Sequence, residues 1–352
     1  MTTPVRILVV GTGGMAKSHV EAFQAIEGVT VVAGVDTSAE RLAAFNATHG
    51  IEHGFATVQD ALAWGEFDAV TNVTPDGVHK VTTMPFLAAG KHVMCEKPLA
   101  ANYADAAEMT AAAEAAGVIN MVNLTYRNVA SLNKAAELIA AGAIGEVRHF
   151  EASYLQSWLT QPAWGHWDKE STWLWRLSTA HGSMGVLGDV GVHILDYATF
   201  IAGSEATDVS CRLQTFDKAP GGKIGEYTLD ANDSAVMHVR LANGAIGVIH
   251  ASRFASGHFN DLTLKIFGTK GGLEVKWENN VSTLRGSLGE DMLTATWKDI
   301  DCPDVKTNYA RFVDAIRAGA QVNPNFARGS ALQKVLDLAV ESDKQDSRSL
   351  AI

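Results

Sequence analysis

Gly11-Thr12-Gly13-Gly14-Met15-Ala16 lies between an apolar, β-branched run and a segment of helical periodicity. A strand–turn–helix junction of the form GxGxxA suits one kind of chemistry. The first glycine makes a tight turn, the second admits a pyrophosphate to the backbone, and the small sixth residue lets the helix pack close to its sheet. The amide N–H groups at the helix start then hold the anion. Asp36 stands 20 residues beyond Ala16, at the end of the next β-branched run. A carboxylate there accepts hydrogen bonds from an adenosine ribose and repels a 2′-phosphate. With Thr37 beside it, Asp36 points to NAD in preference to NADP. Arg41 either approaches a phosphate or lies solvated on a helix face.

A second group of residues can move protons. Glu96-Lys97-Pro98 follows a short apolar run. At the C-terminal edge of a parallel sheet such residues face the crevice where ligands bind. Lys97 is there either a proton relay or a surface residue. As a base it needs its pKa lowered by burial or a neighbouring cation; otherwise it is a charged hydrogen-bond donor. Asp189, His193 and Asp196 are spaced four and three apart, so a regular helix puts them on one face. Two carboxylates beside a histidine suit acid–base work or a metal, and acid–base work is the expectation, with no metal. Five of the eight tryptophans crowd into one stretch, Trp158, Trp164, Trp167, Trp173 and Trp175. They form either a small core beneath a loop or a platform for the apolar faces of a sugar ring.

These residues need elements to position them. Strands are expected at 5–10, 29–35, 69–73, 91–94 and 118–122, with helices at 15–26, 39–48, 77–89 and 103–116 between them. Strands alternating with helices imply right-handed crossovers and a parallel sheet. After a helix at 129–141 the texture changes to alternating runs at 146–156, 235–241, 245–254, 261–267, 273–277 and 281–284. Alternation implies an antiparallel sheet with one face covered. A helix at 187–202 interrupts this half, 217–225 reads as a mobile surface loop, and helices at 305–318 and 328–341 close the chain. The expected fold is α/β: a dinucleotide-binding Rossmann domain over 1–122, then a substrate-binding and oligomerisation domain over 123–352 with a large, mostly antiparallel open sheet. The closing helices are free to pack back on the first domain.

Composition sets the outer bounds. The 352 residues are 47% apolar and 19% charged, which supports a sizeable core and excludes a disordered chain. Lys and Arg number 28 against 39 Asp and Glu, a net charge of −11 that argues against nucleic-acid or anionic-membrane partners. The first 122 residues hold 6 basic and 13 acidic side chains. Pyrophosphate binding must therefore rest on backbone N–H groups, and no basic patch invites an extra phosphate. Cys95, Cys211 and Cys302 are far apart and odd in number, as expected of free thiols in a reducing cytoplasm. No run approaches the roughly 18 apolar residues of a membrane span.

The motifs taken together resemble the Gfo/Idh/MocA oxidoreductases, which include glucose–fructose oxidoreductase and inositol dehydrogenase. The matching residues are 11–16, Thr74-Pro75-Asp76-Gly77-Val78-His79, Glu96-Lys97-Pro98 and the stretch from His181 to His193. The one departure is His181-Gly182-Ser183-Met184, where the family more often has a run of glycines. The resemblance implies that Lys97, Asp189 and His193 bind the reacting carbinol and move its proton, with His193 the favoured base. It makes Thr74, Pro75 and His79 cofactor-loop residues, puts Glu96 and Lys97 near the nicotinamide ribose, and sets Asn123, Trp175 and Arg176 at the nicotinamide end. Tyr126, Arg127, Gln156, Trp158 and Trp164 complete the substrate assignment. The implied activity is NAD-dependent hydride transfer at a secondary hydroxyl of a cyclic polyol or sugar. The open sheet implies a homodimer or homotetramer. An NAD-using glycosidase acting by transient oxidation and a non-catalytic NAD sensor are the competing readings.

Overall fold

The computed structural model describes residues 2–162 and 164–352. The chain divides into two compact units, 2–124 with 306–333 and 125–305 with 334–352. The return of 306–333 means that no single cut near residue 122 separates them.

The first unit is a six-stranded parallel sheet. Its strands are β1 (Val5–Val10), β2 (Val29–Val35), β3 (His53–Phe55), β4 (Ala69–Asn72), β5 (His92–Cys95) and β6 (Asn120–Val122), in spatial order β3-β2-β1-β4-β5-β6. Helices α1 (Ala16–Gln24), α2 (Ala39–His49), α3 (Val58–Trp64), α4 (His79–Ala88) and α5 (Tyr103–Ala116) make the crossovers. β1 is buried along almost its whole length, which is why it reads as a continuous apolar run. β3 and α3 were not anticipated. β3 has three residues, none fully buried, and shows no periodicity. The helix Asn308–Ala318 adds Tyr309, Phe312 and Val313 to the core of Val5, Ile7, Val20 and Phe23.

The second unit is built on a nine-stranded sheet. Its spatial order is Lys298–Asp299, Val281–Leu288, Gly271–Glu278, Asn260–Gly268, Val147–Gln156, Ile246–Ser252, Ser234–Leu241, Ala206–Gln214, Leu350–Ala351. All neighbours are antiparallel except Val147–Gln156 with Ile246–Ser252, which run parallel. Inward residues such as Phe150, Ala152, Ile249, Leu264 and Val275 are buried, while Val236 and Ile246 on the open face are exposed. Helices α6 (Ala130–Ala140) and Val192–Ile201 lie on the covered side of the unit. The segment 217–225 is not a free loop. Lys223–Ile224 pairs with Tyr227–Thr228, and the Lys218 side chain is fully buried against Asp233.

Candidate active site

The glycine loop of the first unit is shaped for a dinucleotide. Gly11 has φ +86°, and a Cβ there would come within 3.0 Å of the Val73 and Thr74 backbone, so only glycine fits. A Cβ on Gly13 or Gly14 would meet nothing within 4 Å, so the space before the helix is open. The N–H groups of Gly13, Gly14 and exposed Met15 donate to no other group among the described residues. This is the cradle that a pyrophosphate requires.

Asp36 directly follows β2 and is buried. It accepts from the Thr12 N–H at 2.9 Å and hydroxyl at 2.7 Å, from the Ser38 N–H at 2.9 Å, and from Arg41 Nε at 3.0 Å and Nη2 at 2.7 Å. Burial alone would raise its pKa, but these donors, Arg41 foremost, hold it well below the usual carboxylate range. Arg41 is therefore neither a free phosphate ligand nor a merely solvated residue. It forks onto the carboxylate that would receive the ribose. Thr37 and Pro75 are exposed, and Thr74 is fastened by its N–H and hydroxyl to Asn72 Oδ1 at 3.1 and 2.7 Å.

Glu96, at the end of β5, sits in a buried polar cluster that sequence reading missed. His19 Nε2 lies 2.8 Å and Asn123 Nδ2 2.7 Å from Glu96 Oε1, while His19 Nδ1 meets the Thr71 hydroxyl at 2.7 Å. Burial would raise the Glu96 pKa; hydrogen bonds from His19 and Asn123 and the charge of Lys97 bring it down to about 2. The half-buried Lys97 donates its backbone N–H to Glu96 Oε2 at 3.1 Å. Asn123 also donates to the Tyr309 hydroxyl at 3.1 Å, and Asn308 Nδ2 donates back to Asn123 Oδ1 at 3.2 Å. Its amide is thus engaged in supporting Glu96. That corrects the assignment of Asn123 to direct nicotinamide contact.

His79 needs a similar correction. It is fully buried, with Nδ1 at 2.9 Å from the Pro98 carbonyl and Nε2 at 2.8 Å from the Thr74 carbonyl. Both partners only accept, so both ring nitrogens donate and the ring is an imidazolium. It ties the loop after β4 to the loop that carries Lys97 and does not face a ligand. Burial would lower its pKa, but Cys95, Asp76 and the Thr74 carbonyl push it up to about 10. A pKa raised on folding contributes stability that is complete below about 6.5 and lost as pH rises through about 10. His79→Gln can satisfy only one carbonyl and is expected to lower Tm at pH 7. Melts recorded against pH should show wild type and variant converging near pH 10.

In the second unit, Leu187–Gly191 is a π-turn leading into the helix Val192–Ile201. The wider turn breaks the regular spacing on which a single Asp189/His193/Asp196 face depended. Asp189, part-exposed, accepts from Arg253 Nη2 at 2.9 Å. Asp196 is buried and gripped by Arg127, Nε to Oδ2 at 2.6 Å and Nη2 to Oδ1 at 2.8 Å, with the guanidinium 3.4 Å from the Phe200 ring centroid. Arg127 is therefore a buried structural partner, contrary to its assignment to substrate. Among the described residues no group of three His, Cys, Asp or Glu could hold a metal.

His193 is buried, and the Tyr126 ring meets it edge-on at 5.0 Å. The Tyr126 hydroxyl lies 2.6 Å from that of Tyr154, which donates to Asn260 Oδ1 at 2.7 Å, and Asn260 Nδ2 returns to Tyr126 at 3.0 Å. Burial pushes the Tyr126 phenol up to about 12 and that of Tyr154 well above its usual value, so both stay protonated. Tyr126 supports the His193 ring and has its hydroxyl committed to this triangle. Gln156 Nε2 joins it through Asn260 Oδ1 at 2.8 Å, and Trp158 Nε1 donates to Gln156 Oε1 at 3.1 Å.

The tryptophan stretch serves two ends. Trp158 packs with Leu159, Leu174, Leu177 and Leu229 in a small core. Trp158, Trp164 and Trp173 also line a cavity of about 320 Å³ with Gln156, Arg176 and Asp189. The Arg176 guanidinium lies 4.6 Å from the Trp175 ring centroid. Sequence reading missed Arg253 and Asn260. Arg253 carried a usable signal: it continues the inward parity of Ile249 and Ala251, where a charge is anomalous.

Comparison with known proteins agrees with this geometry. Residues 5–124 match a model described as an oxidoreductase family with an NAD-binding Rossmann fold, and residues 132–274 match the Gfo/Idh/MocA C-terminal domain. Levoglucosan dehydrogenase of Pseudarthrobacter phenanthrenivorans is 27% identical, over 96% of each chain. The NADP-dependent scyllo-inositol 2-dehydrogenase of Bacillus subtilis is 32% identical over 68% of this chain and 70% of that protein. The crystal structure of an oxidoreductase domain protein from Kribbella flavida superposes with a TM-score of 0.88, covering 100% of both chains at 31% identity. An NAD-binding Rossmann unit followed by this open-sheet unit, matched along the chain by oxidoreductases, makes this protein a member of the Gfo/Idh/MocA oxidoreductase family.

Proposed function

We propose that the protein is a dehydrogenase moving hydride between NAD and a secondary hydroxyl of a cyclic polyol or sugar, an inositol, pyranose or glycoside. The carrying observation is the cavity that sets the indoles of Trp158, Trp164 and Trp173 beside Gln156, Arg176 and Asp189. Sugar C–H faces pack on indole, while the hydroxyls need directional polar partners. The sugar and inositol dehydrogenases among the relatives support the same class and do not favour a glycosidase or a sensor.

When bound, NAD supplies the hydride acceptor. The 11–16 backbone holds its pyrophosphate and Asp36 its ribose. Thr74 and Pro75 flank it. We assign Lys97 to a charged hydrogen bond with the reacting hydroxyl and His193 to its proton, while Asp189 fixes the ring by accepting from a neighbouring hydroxyl. An imidazole ordinarily titrates near 6.5, close to working pH, which suits a general base.

The test is a panel of cyclic polyols, pyranoses and glycosides assayed with both cofactors. NADH formation on at least one is expected, with kcat/KM for NAD at least about tenfold that for NADP, about 1.4 kcal/mol of discrimination. Asp36→Ala should narrow that ratio, because it removes the charge facing a 2′-phosphate and releases Arg41. No turnover across the panel overturns the activity, and an NADP preference overturns the role given to Asp36.

We assign the open sheet face, with Val236 and Ile246 exposed, to a homodimer or homotetramer contact, to be read by light scattering. No helix among the described residues is long and apolar enough to cross a membrane. The three free cysteines support a cytoplasmic location.

A further inference from the structure

Behind part-exposed Asp189 the second unit buries three alternating charges, Arg253, Asp233 and Lys218. Arg253 is fully buried. Its Nη2 donates to Asp189 Oδ2 at 2.9 Å and its Nη1 to the Arg176 carbonyl at 3.1 Å, while its guanidinium lies 5.0 Å from the Trp158 ring centroid. The charge of nearby Asp233 also favours the Arg253 cation. The Arg253 N–H donates to the Asp233 carbonyl at 3.0 Å. Asp233 in turn pairs with Lys218, both side chains without exposure, and Lys218 also donates to the Phe216 carbonyl at 3.0 Å.

This arrangement is costly. Arg253 Nε and Asp233 Oδ1 are buried with no hydrogen-bond partner among the described residues. Each such atom forfeits its hydration, and burial pulls the Arg253 pKa down. A stability role alone would be met as well by apolar residues of similar volume. What the arginine does supply is a fixed cation with one N–H on an oxygen of Asp189, a carboxylate lining the cavity, and another on the Arg176 carbonyl.

We propose that Arg253 is a positioning residue that holds Asp189 ionised and oriented to accept a hydrogen bond from a hydroxyl of the ring substrate, with Lys218–Asp233 locking Arg253 from behind. The proposal rests on the substrate reading given above. An ionised carboxylate only accepts, whereas a protonated one donates and turns the hydroxyl. Arg253 therefore selects a polyhydroxylated ring that presents an O–H, not a lone pair, at this point. It also ties substrate recognition to residues 217–225, because Lys218 enters the interior from that segment.

The test compares wild type, Arg253→Gln, Arg253→Lys and Asp189→Asn, each checked for folding by circular dichroism and melting. Sugar binding is measured by calorimetry and kcat/KM across pH. For Arg253→Gln the sugar KM is expected to rise about tenfold or more with the NAD KM unchanged, as loss of one charged hydrogen bond implies. The acid limb of kcat/KM should move up by about one pH unit or more, because Asp189 loses a cation. Arg253→Lys keeps the charge but loses the planar hold on both Asp189 and the Arg176 carbonyl, so the limb should return while the raised KM persists. A merely structural role moves neither the limb nor its recovery. A folded Arg253→Gln with wild-type KM and limb overturns the proposal. If that variant does not fold, an unchanged sugar KM in Arg253→Lys overturns it. If Asp189→Asn keeps full activity, the substrate reading itself fails; if only the arginine variants are silent, that reading stands and this one falls.

Discussion

Replacing either Lys97 or His193 by alanine is expected to lower kcat by about 10²- to 10⁴-fold while NAD still binds. That range is the usual contribution of a positioned proton-transfer group. Binding should survive because the cofactor cradle is made of other atoms: the open N–H groups at Gly13–Met15 and the Asp36 carboxylate. Lys97 adds its charge to Glu96, but the hydrogen bonds of the buried cluster, His19 and Asn123 to Glu96 and His19 to Thr71, are made by other side chains. His193 sits against the Tyr126 ring edge, and the Tyr126–Tyr154–Asn260 triangle closes without it. Neither substitution should therefore collapse its surroundings. NADH absorbance reports turnover and calorimetry reports NAD binding. Near-normal kcat in both variants would refute the assignment.

The second large effect concerns stability. Arg127→Met should destabilise the protein by about 3–5 kcal/mol, because it removes the two-point cationic partner of the buried Asp196 carboxylate. At roughly 2–4 °C per kcal/mol for a domain of 150–250 residues, Tm falls by about 10 °C. The double variant Arg127→Met/Asp196→Leu should recover most of that loss, since it removes both buried charges of the pair together. Thermal melts separate this from a substrate role. An Arg127→Met protein with unchanged Tm and a raised sugar KM would restore the residue to the substrate site.

The parts of the molecule that were legible share a physical cause. β1 and β2 fall at 5–10 and 29–35 as the β-branched runs indicate, because a strand buried on both faces must be apolar throughout. The glycine fingerprint is legible because a turn at φ +86° and a close backbone approach depend on a few consecutive residues. β3 was not, since three residues carry no period. Ala206–Gln214 escaped for a related reason: only Val209 and Cys211 of its nine residues are buried, so its alternation is diluted by polar side chains. The parallel pairing of Val147–Gln156 with Ile246–Ser252 leaves no local trace, because alternation reports which face is covered and not which way the neighbour runs.

Charged side chains mark the limit most clearly. From their types alone Arg127 and Asp196 were both plausible site residues, and 217–225 was a plausible free loop. Packing decided otherwise. Arg127 meets Asp196 across 69 positions, Arg253 meets Asp189 across 64, and Lys218 reaches Asp233 across 15. Such pairs form where two elements bury their charges against each other, and no periodicity along the chain encodes the meeting. The cofactor half of the chemistry is a property of consecutive residues and can be read from them. Which charges face the ligand and which neutralise one another is a property of the packed second unit, because the cost of burying a charge is met only by a partner that folding brings to it.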